Sequence, residues 1–503
     1  MLLASLVISC TVVIALPIII WWMLFTLSPT YRQLNRLPGP TSLPVIGNIH
    51  QLLGGFDVNL ELMQRKWTEL YGEIYRIIIT PTVGILISSP EMVETVVNSP
   101  QLMDKGIEYK LMHDWLGLGL LTSSGAKWKS RRRLLTPAFH FNIMEDFFDT
   151  FNEQSSILCD KIGKMCEAKG AVEVNVEELT SLCTLDIICE TAMGCKVNAQ
   201  HHESEYVRAV QSMSKLLMKR QISLLSRIDF IYQLTPTGKE YYKTLKTLLD
   251  FTEQVIEKRQ REFQSEHESD VAIDDGTRKR RPFLDLLLEA SAKGTVLSRK
   301  DLSDEVNTFM FEGHDTTAMT LNWFLYCMAA HPEHQDRLRE ELDQVFEGSD
   351  RPCTRQDLPE LKYLECCIKE TLRLYPAVPA FSREVKQQVQ LGKYTIPGGC
   401  DLVIAAYGLH RNPRIFPDPD TFDPDRFTPE RSSGRHPYAF IPFSAGSRNC
   451  IGQRFAMAEE KVVLASLFRR FKFRLSPTAP LPIPSVELTL KSSTGIHLVV
   501  SRR

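Results

Sequence analysis

Apolar and polar positions follow different periods in different stretches of this chain. The first stretch, 2–27, carries no charge and is mostly apolar. As a helix it is long enough to cross a hydrocarbon layer of about 30 Å. Trp21 and Trp22 stand where an interfacial aromatic belt lies, and Arg32 and Arg36 follow with no basic residue before the run. The positive-inside rule then predicts an uncleaved anchor with the remainder of the chain in the cytosol. A signal peptide fits less well, because no basic n-region precedes the run and no small-residue cleavage site follows it. Pro38, Pro40 and Pro44 break any continuing helix, so 28–48 is read as a stiff hinge. The boundaries expected are an anchor over 1–27, the hinge over 28–48 and one body over 49–503.

Within the body, 74–79 and 83–87 are rich in β-branched residues and predict a small antiparallel sheet. From about 134 to 346 the apolar residues recur with helical spacing. The polar run 265–281, acidic first and then basic, predicts a solvated loop. Ser298 followed by Asp301 has the form of a capping box and opens a helix reaching to about 330, where His331-Pro332 ends it. Further helices are predicted over 333–346, 363–374 and directly after Cys450. Strands are predicted over 389–394, 401–406, 488–490 and 496–500, with a Pro-rich coil over 412–429. The fold class is therefore mainly α with small antiparallel β-sheets.

Composition narrows the function classes. Of the 503 residues, 43% are hydrophobic and 24% charged, which is globular and leaves ample length for a large core. The net charge of −2 excludes a globally basic nucleic-acid binder. The 12 cysteines show no short-spacing framework and no zinc-type CxxC pair. All but Cys450 read as reduced thiols of a reducing compartment.

Cys450 lies in the run Phe443-Ser444-Ala445-Gly446-Ser447-Arg448-Asn449-Cys450-Ile451-Gly452. A thiolate ligand needs nearby positive charge or amide donors, and Arg448 and the start of the following helix supply both. Glycines at 446 and 452 let the backbone bend and approach a flat ligand. In the long helix, Glu312, Asp315 and Thr316 share one face of an otherwise apolar stretch. Polar groups in such a place need partners, and Gly313 beside them gives close approach or a kink. Read alone, that cluster serves equally as a satisfied polar patch with threonines back-bonding to carbonyls. His314 reads as a helix-face residue.

The pattern Phe-x-x-Gly-x-Arg-x-Cys-x-Gly resembles the haem-binding signature of the cytochromes P-450, in which the cysteine thiolate is the axial ligand. The resemblance covers nearly the whole chain, from the anchor and Pro-rich hinge to the last strand. It implies Cys450 as metal ligand, with Phe443, Arg448 and Gly452 around it. The stretch Phe311-Glu312-Gly313-His314-Asp315-Thr316-Thr317 resembles the oxygen-activating helix, where the residues matching Asp315 and Thr316 relay protons. A glutamate at 312 resembles family 4, whose members commonly esterify a haem methyl through this side chain. By the same resemblance Trp128, Arg132, Arg383 and Arg448 approach the haem propionates. Glu370, Arg373 and Arg426 form a structural ion network.

What the resemblance implies is a haem-thiolate monooxygenase in the endoplasmic reticulum membrane, single-pass, with a cytosolic catalytic domain. It carries haem b, covalently linked through Glu312, and no FAD or FMN, for the chain has no GxGxxG-type site. Electrons come from NADPH–cytochrome P-450 reductase, with cytochrome b5 as a further partner. Part of the basic face around Lys127, Lys129 and Arg131 is expected to dock the acidic reductase. The implied substrate is a lipid, with ω-hydroxylation of medium- or long-chain fatty acids, and Leu118, Leu120, Phe309, Phe381, Ser493 and Thr494 are expected in its pocket. Hormones, isoprenoids and xenobiotics remain alternatives, then a haem-thiolate isomerase or dehydratase, then a non-catalytic haem carrier.

Overall fold

The computed structural model describes residues 16–139, 147–223, 225–270, 282–292 and 297–503. Most of the predicted anchor and most of the acidic-to-basic run lie outside the described residues. Residues 16–27 are helical with exposed apolar side chains, among them Leu16, Ile18 and Leu24. No helix among the described residues is long and apolar enough to cross a membrane. The Pro-rich segment is fastened along the sheet: Leu34 and Leu37 are buried, and Arg76 and Asn48 bond the carbonyls of Pro38 and Ile78.

The principal helices are α1 (Gly125–Leu135), α2 (Phe147–Lys169), α3 (Val176–Thr191), α4 (Glu205–Ile222), α5 (Pro236–Asp270), α6 (Arg299–Ala330), α7 (Pro332–Phe346), α8 (Lys362–Leu374) and α9 (Gln453–Arg470). The Ser298–Asp301 capping box opens α6 as its sequence predicts. Almost every residue of α6 from Leu302 to Ala329 is buried, so it runs through the middle of the helical layer. It packs most extensively against α3. A Cβ on Gly313 would fall 2.6 Å from Ile188, so glycine there buys close approach of the two helices. Thr180 and Thr184 of α3 add hydrogen bonds to Asn322 and to the carbonyl of His314 at 2.7 and 3.0 Å.

The strands are β1 (Ile74–Ile79), β2 (Thr82–Ile87), β3 (Ala171–Asn175), β4 (Phe381–Val385), β5 (Val389–Leu391), β6 (Tyr394–Ile396), β7 (Cys400–Ile404), β8 (Phe471–Leu475), β9 (Pro484–Val486), β10 (Leu490–Ser492) and β11 (His497–Arg502). They make a four-stranded sheet in the order β1-β2-β7-β4, a three-stranded sheet β3-β11-β8 and two hairpins. All pairs are antiparallel except β2 with β7, so the largest sheet is mixed. The predicted strand over 389–394 is a hairpin, turned at Gly392 in the left-handed region. Residues 265–270, expected in a loop, continue α5. β3, β4, β8 and β9 were not expected from the sequence.

One hydrophobic cluster fills the helical layer and a second fills the mixed sheet. Arg373 clamps Glu370 through two hydrogen bonds of 2.7 and 2.8 Å, both residues fully buried. Arg426 approaches the same carboxylate at 3.4 Å. The remaining donors of Arg373 reach the carbonyls of His410, Pro419 and Thr421, which fastens the Pro-rich coil to α8. The 11 cysteines among the described residues are all free thiols.

Candidate active site

A cavity of about 810 Å³ opens between the mixed sheet and α6. Cys450, Phe443, Arg448 and Gly452 line one end of it, together with Trp128, Arg132, Glu312 and Thr316. Residues 128 to 452 thus converge on one space, although α1, α6 and the cysteine loop are far apart in the chain.

The loop is held by its own backbone. The Cys450 N–H donates to the Phe443 carbonyl at 2.9 Å, and Asn449 N–H to Gly446 at 3.1 Å. Gly446 has φ +70°, and a Cβ there would meet the Val97 carbonyl at 2.2 Å, so no side chain fits. Gly452 is the N-cap of α9. Arg132 donates to the carbonyl and side-chain oxygen of Asn449 at 2.7 and 2.8 Å, fixing the residue before the cysteine. Arg448 donates to the carbonyls of Met103, Leu120 and Ser123, and its guanidinium lies 4.4 Å from the centre of the Trp128 ring.

The Cys450 sulfur is open to the cavity yet lies deep within the molecule. That burial pushes its thiol up to about 11, and the Glu312 carboxylate adds to the effect. The Gly452 N–H and Arg132 pull the other way, toward thiolate. A thiolate in this position wants a cation beside it, which is what a metal ligand requires.

Positive charge crowds the same end. Burial together with Arg383 and Arg448 pushes the Lys105 ammonium well below its usual range. Arg448 is lowered to about 10 by burial and by Arg383. Arg383 itself is buried behind the wall, donating to the Ser382 carbonyl at 2.9 Å. Lys105, Arg383 and Arg448 repel one another, and Glu312, Glu108 and Asp104 offset this only in part, so further anions are favoured among them. The donor set therefore fits a haem: Cys450 would hold its metal, and the cations would hold its propionates.

On α6, Thr316 donates to the Glu312 carbonyl at 2.7 Å, the back-bonding that a satisfied patch would show. The Glu312 side chain nevertheless faces the cavity, and burial raises its carboxyl to about 7. Asp315 is off the cavity wall. Its carboxylate lies 3.3 Å from Lys491 and accepts from the Thr489 hydroxyl at 2.6 Å. Burial alone would raise Asp315, but Lys491, His314 and Thr489 hold it below the usual carboxylate range. Thr489 does line the cavity, so the acid reaches that space through a hydroxyl from the loop between β9 and β10. His314 is buried on the helix face and bonds the Met310 carbonyl at 2.7 Å.

Several expectations need correction. Leu120, Phe309 and Phe381 line the cavity, but Leu118 is exposed, and Val486–Thr489 replace Ser493 and Thr494 on the wall. Arg131 belongs to no solvated basic face: it is buried, 3.0 Å from Asp301 and 3.6 Å from Glu305. Lys127 also pairs with Asp301, at 2.7 Å. These two cations anchor α1 to the first turns of α6, and only Lys129 stays exposed. Sequence reasoning missed Lys105, Thr489 and Lys491, which sit in no motif and enter the site through tertiary packing.

The profile of the family Cytochrome P450 matches residues 37–499. Cytochrome P450 4c3 of Drosophila melanogaster is 41% identical over 487 residues, covering 94% of this chain and 90% of that protein. Cytochrome P450 4c21 of Blattella germanica is 44% identical over 473 residues, covering 93% of each. Cytochrome P450 4V2 of Homo sapiens is 43% identical over 486 residues, covering 94% of this chain and 91% of that protein. With a cysteine loop, a cation cluster and a central helix already converging on one cavity, these likenesses make the chain a member of the cytochrome P450 family, within family 4, and a haem-thiolate monooxygenase.

Proposed function

We propose that the chain hydroxylates medium- and long-chain fatty acids at the terminal methyl. The observation that carries this reading is the cavity wall. Besides Cys450 it includes Leu120, Phe309, Leu217 and, from β1, Ile77 and Ile79, an apolar surface suited to an acyl chain.

Bound haem supplies the activation of dioxygen. Cys450 holds it as thiolate, steadied by Arg132 and the N-terminus of α9. Arg448, Lys105 and Trp128 on the cavity wall would hold the propionates, with the Arg383 charge acting on them from behind the wall. Glu312, whose carboxyl is on the cavity wall, would fix the macrocycle further through an ester to a haem methyl, the C–H bond lost there being oxidised by the dioxygen that the reaction consumes. Thr316 presents a hydroxyl to the cavity, while Asp315 holds a proton-accepting carboxylate behind Thr489. A fixed haem restricts how the chain approaches it, which favours the terminal methyl over the weaker neighbouring CH₂.

Electrons come from NADPH–cytochrome P-450 reductase, with cytochrome b5 as a further donor. The uncharged run 2–27 serves as a single-pass anchor in the endoplasmic reticulum membrane, with the body on the cytosolic side. Exposed Leu53, Val58, Ile228 and Phe230, beside cavity-lining Leu52 and Arg227, suit a body resting on that membrane.

The test is product identification. The protein is reconstituted with the reductase and a saturated fatty-acid series, and products are analysed by mass spectrometry. Terminal alcohols are expected. Turnover of other lipids with no terminal alcohol from any fatty acid contradicts the assignment.

A further inference from the structure

Arg227 is a cation on the cavity wall with no counter-ion among the described residues. It lies in a short turn after α4, half-buried. Its Nε and Nη2 donate to the Gln221 carbonyl at 3.2 and 2.6 Å, and Nη1 reaches the Thr80 carbonyl at 3.5 Å. A guanidinium has five N–H donors, so two remain. Among the described residues no carboxylate pairs with it. Burial alone lowers its pKa, and no charged group acts on it.

Its surroundings make it a subsite separate from the haem end. Lys105, Arg383 and Arg448 act on one another, and Lys105 feels Glu312, but none of these groups reaches Arg227. The wall near Arg227 is built by Ile79, Pro81 and Thr82 of the β1–β2 turn and by Gln221 and Ile222 at the end of α4. The main-chain carbonyls of Gln221 and Thr80 orient the guanidinium, so its fork is set before a ligand arrives. A charge held in an apolar cavity without a partner is costly, and an incoming anion recovers that cost.

We propose that Arg227 binds the carboxylate of the fatty-acid substrate and sets the chain with its methyl end toward Cys450 and Glu312. This rests on the lipid reading above and adds the head-group site to it. A carboxylate matches the two free guanidinium donors, and the apolar wall between the two ends accepts the acyl chain. A neutral lipid of equal length makes the same apolar contacts and gains nothing from Arg227. Anchoring the acid at one end also limits how far the chain slides, which bears on which carbon is attacked.

The test uses the haem-loaded full chain in detergent, with parent, Arg227→Gln and Arg227→Lys. The probes are palmitic acid and its methyl ester. Binding is followed by calorimetry, and products are followed by mass spectrometry. The Soret band of the reduced carbon-monoxide complex reports that each variant is intact. A hydrogen bond to a charged group is worth roughly ten- to a hundredfold in affinity. Arg227→Gln is therefore expected to weaken the acid about tenfold or more and leave the ester unchanged. Arg227→Lys recovers part of the loss, and Arg227→Gln shifts oxidation of the acid toward carbons inside the chain. Equal responses of acid and ester, or no response of either, overturn the proposal, as does a parent that does not bind the acid. An acid whose binding depends on Arg227 but whose terminal carbon is never oxidised keeps the anchor and removes the ω-hydroxylase reading.

Discussion

Asp401 shows what a single buried carboxyl does in this protein. It is buried in β7, accepts from the Ile107 N–H at 3.4 Å, and faces Glu108, Glu384 and Lys110. Burial, then Glu108, raises it to about 7. In the unfolded chain the same group ionises near about 3.9. Between these values the folded state holds a proton that the unfolded state has released, so this group's contribution falls as pH rises from about 4 to 7. Asp401→Asn should remove that slope: the difference in thermal midpoint between variant and parent should grow in the variant's favour across that window. A difference that is constant with pH contradicts the assignment. Glu312 makes a covalent prediction at the same scale. Extraction of the turned-over parent with acidified organic solvent should leave haem on the polypeptide, and Glu312→Ala should release all of it. Full release from the parent rules out the ester. Cys450, Glu312 and Arg448 were legible in the sequence because each sits in a local frame of defined chemistry. Lys491 and Thr489 were not, since their partner Asp315 lies on another element more than 170 residues earlier. Arg131 was misplaced for the same reason, because its carboxylates belong to α6.

Elements whose ends carry local chemistry were read well. The capping box gave the start of α6, and Pro332 fixed the start of α7. Short strands were harder. β3, β8 and β9 have three to five residues each and exist through pairing with partners distant in sequence, which no local pattern records. The parallel pairing of β2 with β7 is likewise a product of the whole chain's path. The ionic clamp of α8 shows how an element is tied to an irregular coil. Glu370 accepts from Arg373 and from the Asp423 N–H at 2.8 Å, while Arg426 stands 3.4 Å away. Glu370→Ala leaves the Arg373 charge buried with no carboxylate, at a cost of about 3–5 kcal/mol. Denaturant unfolding should show a loss of that order. A variant as stable as the parent contradicts the structural role given to this cluster.

For the whole molecule, the arrangement has one logic. A helical layer and a mixed sheet enclose a cavity, with the cysteine loop on its wall and Arg227 at a part of that wall which the cations near Cys450 do not reach. Membership of the family accounts for the fold, and the local motifs account for the haem end. The substrate end follows from neither, because its residues come from β1, β2, α4 and the loop after β9 and are apolar like any core. The function proposed for this cavity depends on Cys450 holding the metal as thiolate. The measurement that decides this is the spectrum of the reduced, carbon-monoxide-treated protein, for the parent and for Cys450→Ala. The parent should show the red-shifted Soret band of thiolate ligation, and Cys450→Ala should lose it while keeping a helical circular-dichroism spectrum. A parent without that band, or a folded Cys450→Ala variant that retains it, contradicts the account.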